Sequence, residues 1–124
     1  MSKTVYTKNA PEAIGPYSQA VTVGNLVFTS GQIAIDPACG EVMTDTIDGQ
    51  THQVCKNLSA VLEAAGSSLS KVVKTVCFLS DMNDFADFNQ VYGTYFTEKP
   101  ARSCVAVKSL PKGVLVEVDT VAEL

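Results

Sequence analysis

The chain has 124 residues, 46% of them hydrophobic and 18% charged, which is the composition of one globular domain spanning residues 1–124. Its formal net charge is −4 and its lysines are scattered between Lys3 and Lys112, so the clustered cations that face phosphates in nucleic-acid binders are missing. The first residues hold no apolar signal-peptide core and no apolar run approaches the length of a membrane span. We therefore expect a cytoplasmic protein whose partners include neither nucleic acid nor membrane.

The first predicted element is a β-hairpin. Residues 17–23 and 26–33 are β-prone and are separated by Gly24-Asn25, a dipeptide that tolerates the positive φ angles of a tight turn. The turn-forming residues 36–40 follow and close this β region.

Two amphipathic helices are predicted further along the chain. The first covers residues 47–65, and Gly66 is placed to end it in the left-handed conformation. The second covers residues 82–96, with Asp81 as its N-cap and Lys99-Pro100 as its stop. The apolar face of the first comprises Val54, Leu58, Val61, Leu62 and Ala65, and that of the second comprises Phe85, Phe88, Val91, Tyr92, Tyr95 and Phe96.

Three more strands are predicted over residues 71–79, 103–107 and 114–121. Alternation in the first of them places Val72, Val76 and Phe78 on one face and Val73, Cys77 and Leu79 on the other. The order of elements predicts an α+β fold with both helices on one face of a single sheet. Because both strand faces are apolar, the second sheet face needs a cover, and the simplest cover is another copy of the chain.

Several kinds of chemistry have no support in the sequence. His52 is the only histidine, which excludes a zinc site built from several histidines, and no dinucleotide or P-loop motif is present. The cysteines, Cys39, Cys55, Cys77 and Cys104, form no CxxC pair, so reduced thiols are expected. We expect neither a metal nor a cofactor.

Arg102 is the first candidate for chemistry, because it is the single arginine in a chain that otherwise uses lysine. A guanidinium offers a planar fork of donors that matches a carboxylate. Arg102 follows the helix-ending Pro100 and opens a short apolar strand, which places it near a sheet edge. The alternatives are a structural ion pair and an ordinary surface charge.

Glu117 is the second candidate, because it interrupts an otherwise apolar strand. In a cavity, its carboxyl pKa would respond to burial and to neighbouring charge, which is how a water-handling carboxylate is tuned. The alternative is a solvent-facing alternation shared with Asp119.

Four further candidates are polar or small residues at the ends of predicted elements. Residues 29–32 bring two hydroxyls and a glycine together, where the backbone could approach a ligand closely. Each residue alone is equally consistent with a turn or a cap. The four are Tyr17, Ser30, Gly31 and Asn89.

The sequence as a whole resembles the Rid (reactive intermediate deaminase) family from end to end. The most specific stretch is Pro-Ala-Arg-Ser at residues 100–103, followed at a fixed interval by Glu117 between aliphatic residues. The other matching stretches are Ile14-Gly15-Pro16-Tyr17-Ser18-Gln19-Ala20, Phe28-Thr29-Ser30-Gly31-Gln32, Asn83-Asp84-Phe85 and Asn89-Gln90-Val91-Tyr92.

The resemblance implies a chorismate-mutase-like fold assembled as a homotrimer, with clefts between neighbouring subunits. It also implies hydrolysis of 2-imino acids and their 2-enamine tautomers, released by pyridoxal-phosphate dehydratases from serine and threonine, to 2-keto acids and ammonia. By the same resemblance Arg102 binds the substrate carboxylate and Glu117 holds the attacking water. The residues lining the cleft are then Tyr17, Ser30, Gly31, Asn89 and Cys104, the last mainly through its backbone.

The sequence departs from the family pattern at one place, and two alternative functions remain open. Many family members carry a second Glu followed by Ala where this chain has Asp119-Thr120, so a role for Asp119 is in doubt. Some relatives were described as ribonucleases or translation inhibitors, which the acidic charge balance argues against. A non-catalytic metabolite sensor or a chaperone-like trimer could use the same Arg102 cleft.

Overall fold

The computed structural model describes residues 1–124 and contains eight strands and two α-helices. The α-helices are α1 (Ile47–Ala64) and α2 (Phe85–Tyr95), and short 3₁₀ helices cover Leu69–Lys71, Met82–Asp84 and Pro111–Gly113. The strands are β1 (Lys3–Val5), β2 (Ala20–Val23), β3 (Leu26–Thr29), β4 (Ile35–Asp36), β5 (Glu41–Val42), β6 (Val72–Leu79), β7 (Ala101–Ala106) and β8 (Val116–Glu123).

Six of the strands form one mixed sheet in the order β1-β2-β3-β8-β6-β7, and β4 pairs with β5 in a separate ribbon. Only β6 and β7 run parallel, because α2 carries the chain back between them. β7 lies at a free edge of the sheet. The predicted α+β class with one main mixed sheet is confirmed.

Both helices pack on one face of this sheet and form the core with it. The predicted apolar face of α1 includes Val54, Leu58 and Val61, each with 0% exposure. Gly66 ends the helix at φ 87, as predicted, while Ser67 N donates to Leu62 O. Neither helix combines the length and the apolar character needed to cross a bilayer.

Several predicted boundaries and faces are wrong. The N-terminal strand β1 and the β4–β5 ribbon were not predicted, and Asp81 caps a 3₁₀ turn, so the second α-helix begins at Phe85 instead of Met82. A bulge at Val73 interrupts β6, and Val72 therefore lies on the buried face with Cys77 and Leu79 instead of with Val76 and Phe78.

The sheet face away from the helices keeps apolar side chains in contact with solvent. Phe28 and Val105 are exposed there, and Val76 and Phe78 are only partly buried. An apolar surface of this kind commonly marks an interface. That another copy of the chain covers it stays a prediction.

Candidate functional site

The predicted site residues fall into two separate groups. Four of them line one cavity of about 440 Å³, which we call the carboxylate half: Tyr17, Ser30, Gly31 and Glu117. Asn89 and Arg102 line a second hollow of about 360 Å³, which we call the arginine half. Cys104 lies two residues beyond Arg102 on β7 and faces the same side of the sheet.

The carboxylate half is built where β3 ends beside the start of β8. Ser30 N donates to Gln19 O at 2.9 Å, and Ser30 Oγ donates to Ser18 O at 2.6 Å. Gln32 then forms an isolated bridge with Val118, with hydrogen bonds of 2.8 and 3.1 Å. The register of this bridge brings Gly31 beside Asp119, and the Glu117 side chain, two residues earlier on the same face of β8, lies diagonally against Gly31.

Gly31 is required by close approach and not by backbone conformation. Its φ lies outside the left-handed region, but a Cβ at this position would lie 2.3 Å from Glu117 Oε2 and 2.8 Å from Glu117 Cδ. The Glu117 carboxylate therefore packs over a backbone that only glycine leaves bare. Any larger residue at position 31 must displace the carboxylate.

Glu117 sits where its charge is disfavoured. Burial raises the pKa of the Glu117 carboxyl, and the negative charge of Asp119 raises it further. Burial also raises the pKa of Asp119. A carboxylate with a raised pKa is a stronger base once ionised, which suits a group that takes a proton from water.

The residues of the carboxylate half that were not singled out from sequence include Glu12, Gln19 and Lys112. Gln19 is 2% exposed. Its side-chain Oε1 accepts a hydrogen bond from Thr7 N, and its Nε2 donates to the carbonyl oxygens of Thr7, Ala10 and Pro11. It thereby fixes the loop that carries Tyr17. No local signal in the sequence marks this role, because it depends on a loop folding back over the strand.

In the arginine half the Arg102 guanidinium lies close to two aromatic rings of α2. Arg102 Cζ lies 4.8 Å from the Tyr92 ring centroid and 5.5 Å from that of Phe85. Arg102 Nη1 donates to Asn89 Oδ1 at 2.8 Å. Arg102 forms no ion pair within 4.0 Å, so the predicted alternative of a structural ion pair within the chain is wrong.

Cys104 does not line this hollow, and it lies two residues from Arg102 on the strand at the free edge. Val107 N donates inward to Leu79 O, and the inward and outward directions alternate along a strand. The backbone of Cys104, three residues earlier, therefore points away from the sheet. Its thiol is partly buried, and burial is the main reason its pKa is raised.

One chain does not bring the two halves together. Arg102 pairs with Thr75 and Glu117 pairs with Phe78, and these two partners are three residues apart on β6. Side chains three apart on a regular strand point to opposite faces. Arg102 and Glu117 thus lie on opposite sides of the sheet.

Comparison with known proteins decides the family. A family model described as Endoribonuclease L-PSP matches residues 7–124. A 2-iminobutanoate/2-iminopropanoate deaminase of Escherichia coli K12 is 49% identical, covering 98% of each chain. The chain belongs to the YjgF/Rid family. The resemblance noted in the sequence is thereby confirmed.

Other members of the Rid family agree with this chain in length and fold. A RutC family protein of Pyrococcus horikoshii is 53% identical over 98% of each chain. The crystal structure of RidA from Psychrobacter sp. PAMC 21119 has a TM-score of 0.94 at 44% identity, covering 98% of this chain and 99% of that one. The YjgF gene product of E. coli has a TM-score of 0.93 at 46% identity, covering 98% of each. These three names state no activity, whereas the family model and the E. coli relative are named for two different ones.

Proposed function

We propose that this chain hydrolyses 2-imino acids and their 2-enamine tautomers to 2-keto acids and ammonia. The observation that carries the proposal is the Arg102 guanidinium, which gives one donor to Asn89 and has no carboxylate partner in the chain. A guanidinium has five N–H donors, so a bidentate edge is left for a small organic acid. The deaminase name of the E. coli relative supports the same reaction class.

The complete site in this proposal is a cleft between two copies of the chain in a homotrimer. One copy supplies the arginine half and its neighbour supplies the carboxylate half, because the two halves lie on opposite faces of one sheet. The exposed apolar sheet face supports the assembly. The bound substrate then has its carboxylate at Arg102 and its C2 atom near Glu117.

The reaction needs little beyond positioning. Arg102 holds the carboxylate of a protonated imine while Glu117 accepts a proton from water, and the water oxygen bonds to C2. The resulting carbinolamine takes the proton from Glu117 onto its amine and breaks its C–N bond, while its hydroxyl gives a proton to the Glu117 carboxylate, which leaves a 2-keto acid and ammonia and a proton that Glu117 releases to solvent. General-base assistance of this kind contributes about 10²–10⁴-fold, and an enamine needs only a prior proton transfer to C3.

The decisive experiment couples the purified chain to a pyridoxal-phosphate dehydratase acting on serine or on threonine. The initial rates of keto acid and ammonia release are compared with those of the same mixture without the chain, because imines also hydrolyse unaided. Faster release supports the deaminase. Binding of 2-oxobutanoate without faster release indicates the metabolite sensor instead.

The ribonuclease alternative is kept as a second outcome, because the matching family model is described as an endoribonuclease. The net charge of −4 argues against it. Cleavage of a labelled RNA that is lost in Arg102→Lys would favour it over the deaminase.

A site shared between copies makes two inactive variants complement each other. Arg102→Met spoils only the arginine half and Glu117→Gln only the carboxylate half. When the two are refolded together, random assembly of a cyclic trimer rebuilds an intact pair of halves in roughly a quarter of the clefts. We expect up to that share of wild-type activity to return, measured in the coupled assay on material whose mixed assembly is verified with two affinity tags.

The control is each variant refolded alone, which should stay inactive. Mixed assemblies that recover no activity would show that one chain, and not two, supplies both groups.

Gly31→Ala should fold and lose most of its activity. The added methyl overlaps the Glu117 carboxylate, which is the mobile end of a side chain, so the catalytic group moves while the backbone stays. The matched control is Gly49→Ala, whose added methyl also overlaps the end of a side chain, at 2.2 Å from Thr44 Oγ1, but which lines neither half. We expect thermal unfolding and the coupled assay to separate the two, with equal activities contradicting the placement of Glu117.

A further inference from the structure

We propose that Tyr92 and Thr75 are positioning residues that fix the plane of the Arg102 guanidinium through a buried hydrogen bond behind it. The inference rests on the proposed function, since it takes Arg102 as the group that grips the substrate carboxylate. It gives a function to two buried hydroxyl groups that the proposed reaction does not use.

A continuous series of contacts links Thr75, Tyr92 and Arg102. Tyr92 is 7% exposed and Thr75 is 0% exposed, and their hydroxyl oxygens lie 2.8 Å apart. The Tyr92 ring stands 4.8 Å from Arg102 Cζ. Thr75 is also the register partner of Arg102 across β6 and β7. The hydrogen bond therefore links the Tyr92 ring, which contacts the Arg102 guanidinium, to strand β6. Strand β6 is the neighbour of β7, the strand that carries Arg102.

Two neighbouring rings also contact the Tyr92 ring. Phe96 stacks on it at a centroid distance of 4.5 Å and an interplanar angle of 27°, and Phe88 lies 5.4 Å away at 44°. Packing alone would permit the ring to slide along Phe96. The bond to Thr75 removes that freedom, so the stacked guanidinium and its Asn89 contact keep one geometry.

A purely structural role explains this pair poorly. Burying a hydroxyl without a partner is unfavourable and burying a bonded pair is close to neutral, so a phenylalanine in place of Tyr92 and a valine in place of Thr75 would pack the same core without polar atoms. The hydrogen bond between Tyr92 and Thr75 is explained if the Tyr92 ring must keep a fixed position. Bidentate carboxylate binding has that requirement, because it depends on the orientation of the guanidinium plane.

The test uses Tyr92→Phe, which keeps the ring and its contact with Arg102 but removes the hydroxyl, and Thr75→Val, which removes the other partner. Each variant is titrated with 2-oxobutanoate, and KM and kcat are measured in the coupled assay. We expect Kd and KM to rise about 3- to 10-fold with little change in kcat, because carboxylate binding is shared by ground state and transition state. The double variant should be no weaker than either single variant, and Thr75→Ser, which restores a hydroxyl, should recover the binding.

Tyr95→Phe is the matched control. Tyr95 lies on the same helix and also makes one side-chain hydrogen bond, at 2.8 Å, to the exposed His52, but it does not contact Arg102. We expect its Kd and KM to match the wild type.

The inference is overturned if Tyr92→Phe and Thr75→Val lower the free energy of unfolding while Kd and KM stay at wild-type values, or if their effects on Kd multiply in the double variant. A wild-type chain that binds 2-oxobutanoate but does not accelerate hydrolysis ends the proposed enzyme function and leaves the Kd comparison as the test of positioning. A wild-type chain that does not bind 2-oxobutanoate overturns both.

Discussion

Replacing Arg102 by lysine is expected to lower kcat/KM for 2-imino acids roughly 10- to 100-fold, with a similar loss of affinity for 2-oxobutanoate. Hydrogen bonds to charged groups contribute about 1.5–3 kcal/mol, and lysine cannot present two parallel donors in one plane. Lysine also loses the contact of the guanidinium with the Tyr92 and Phe85 rings, and it cannot donate to Asn89 and present two parallel donors to a ligand at the same time. The positive charge remains, so the experiment isolates geometry from charge.

A graded series makes this result interpretable. Arg102→Met keeps the length of the side chain and removes the charge, so it should lose more affinity than Arg102→Lys. Both variants should keep a cooperative unfolding transition, because Arg102 is partly exposed and forms no ion pair in the chain. Wild-type turnover by Arg102→Lys would remove Arg102 from the role of carboxylate ligand.

The parts of the fold that were predicted correctly depend on local signals. The periodicity of α1 fixed its buried face, and Gly66 marked its end through a conformation that glycine adopts readily. The faces of β6 could not be predicted, because the bulge at Val73 shows only in the pairing with β8 and one extra residue reverses the alternation. The strand β1 was missed for a related reason, since three residues carry little pattern.

In the candidate site, too, the features with a local signal were predictable and those that depend on strand pairing were not. The sequence indicated Arg102 as an unusual residue type and Glu117 as a charge in an apolar strand, but spacing along the chain does not say which sheet face a residue occupies. Their opposite faces follow from the register of β7 and β8 on the shared strand β6. Tyr92 was assigned to an apolar stripe, and only the position of Thr75 reveals what its hydroxyl contacts.

Glu117→Gln is expected to keep the fold and to lower kcat about 10²–10⁴-fold, since glutamine cannot take a proton from water. The wild-type rate should fall as the pH drops through the raised pKa of Glu117, because the protonated carboxyl is no longer a base. The free energy of unfolding depends on the ionisation of Glu117 in the opposite direction to the rate. A carboxyl with a raised pKa in the folded state binds its proton more tightly there than in the unfolded chain, so its ionisation near neutral pH disfavours folding. The free energy of unfolding of Glu117→Gln at neutral pH should therefore equal or exceed that of the wild type.

Asp119→Asn is the matched control for this prediction, with the same change of acid to amide two residues away on the same face of β8. It should retain turnover and move the acid limb of the pH–rate profile to lower pH, because the charge of Asp119 is the second cause of the raised Glu117 pKa. Profiles of kcat against pH for the three proteins, with unfolding curves at neutral pH, distinguish the two carboxylates. If Glu117→Gln turned over at the wild-type rate while Asp119→Asn lost activity, Asp119 and not Glu117 would be the group that activates water, and the closeness of Glu117 to Gly31 would be a matter of packing.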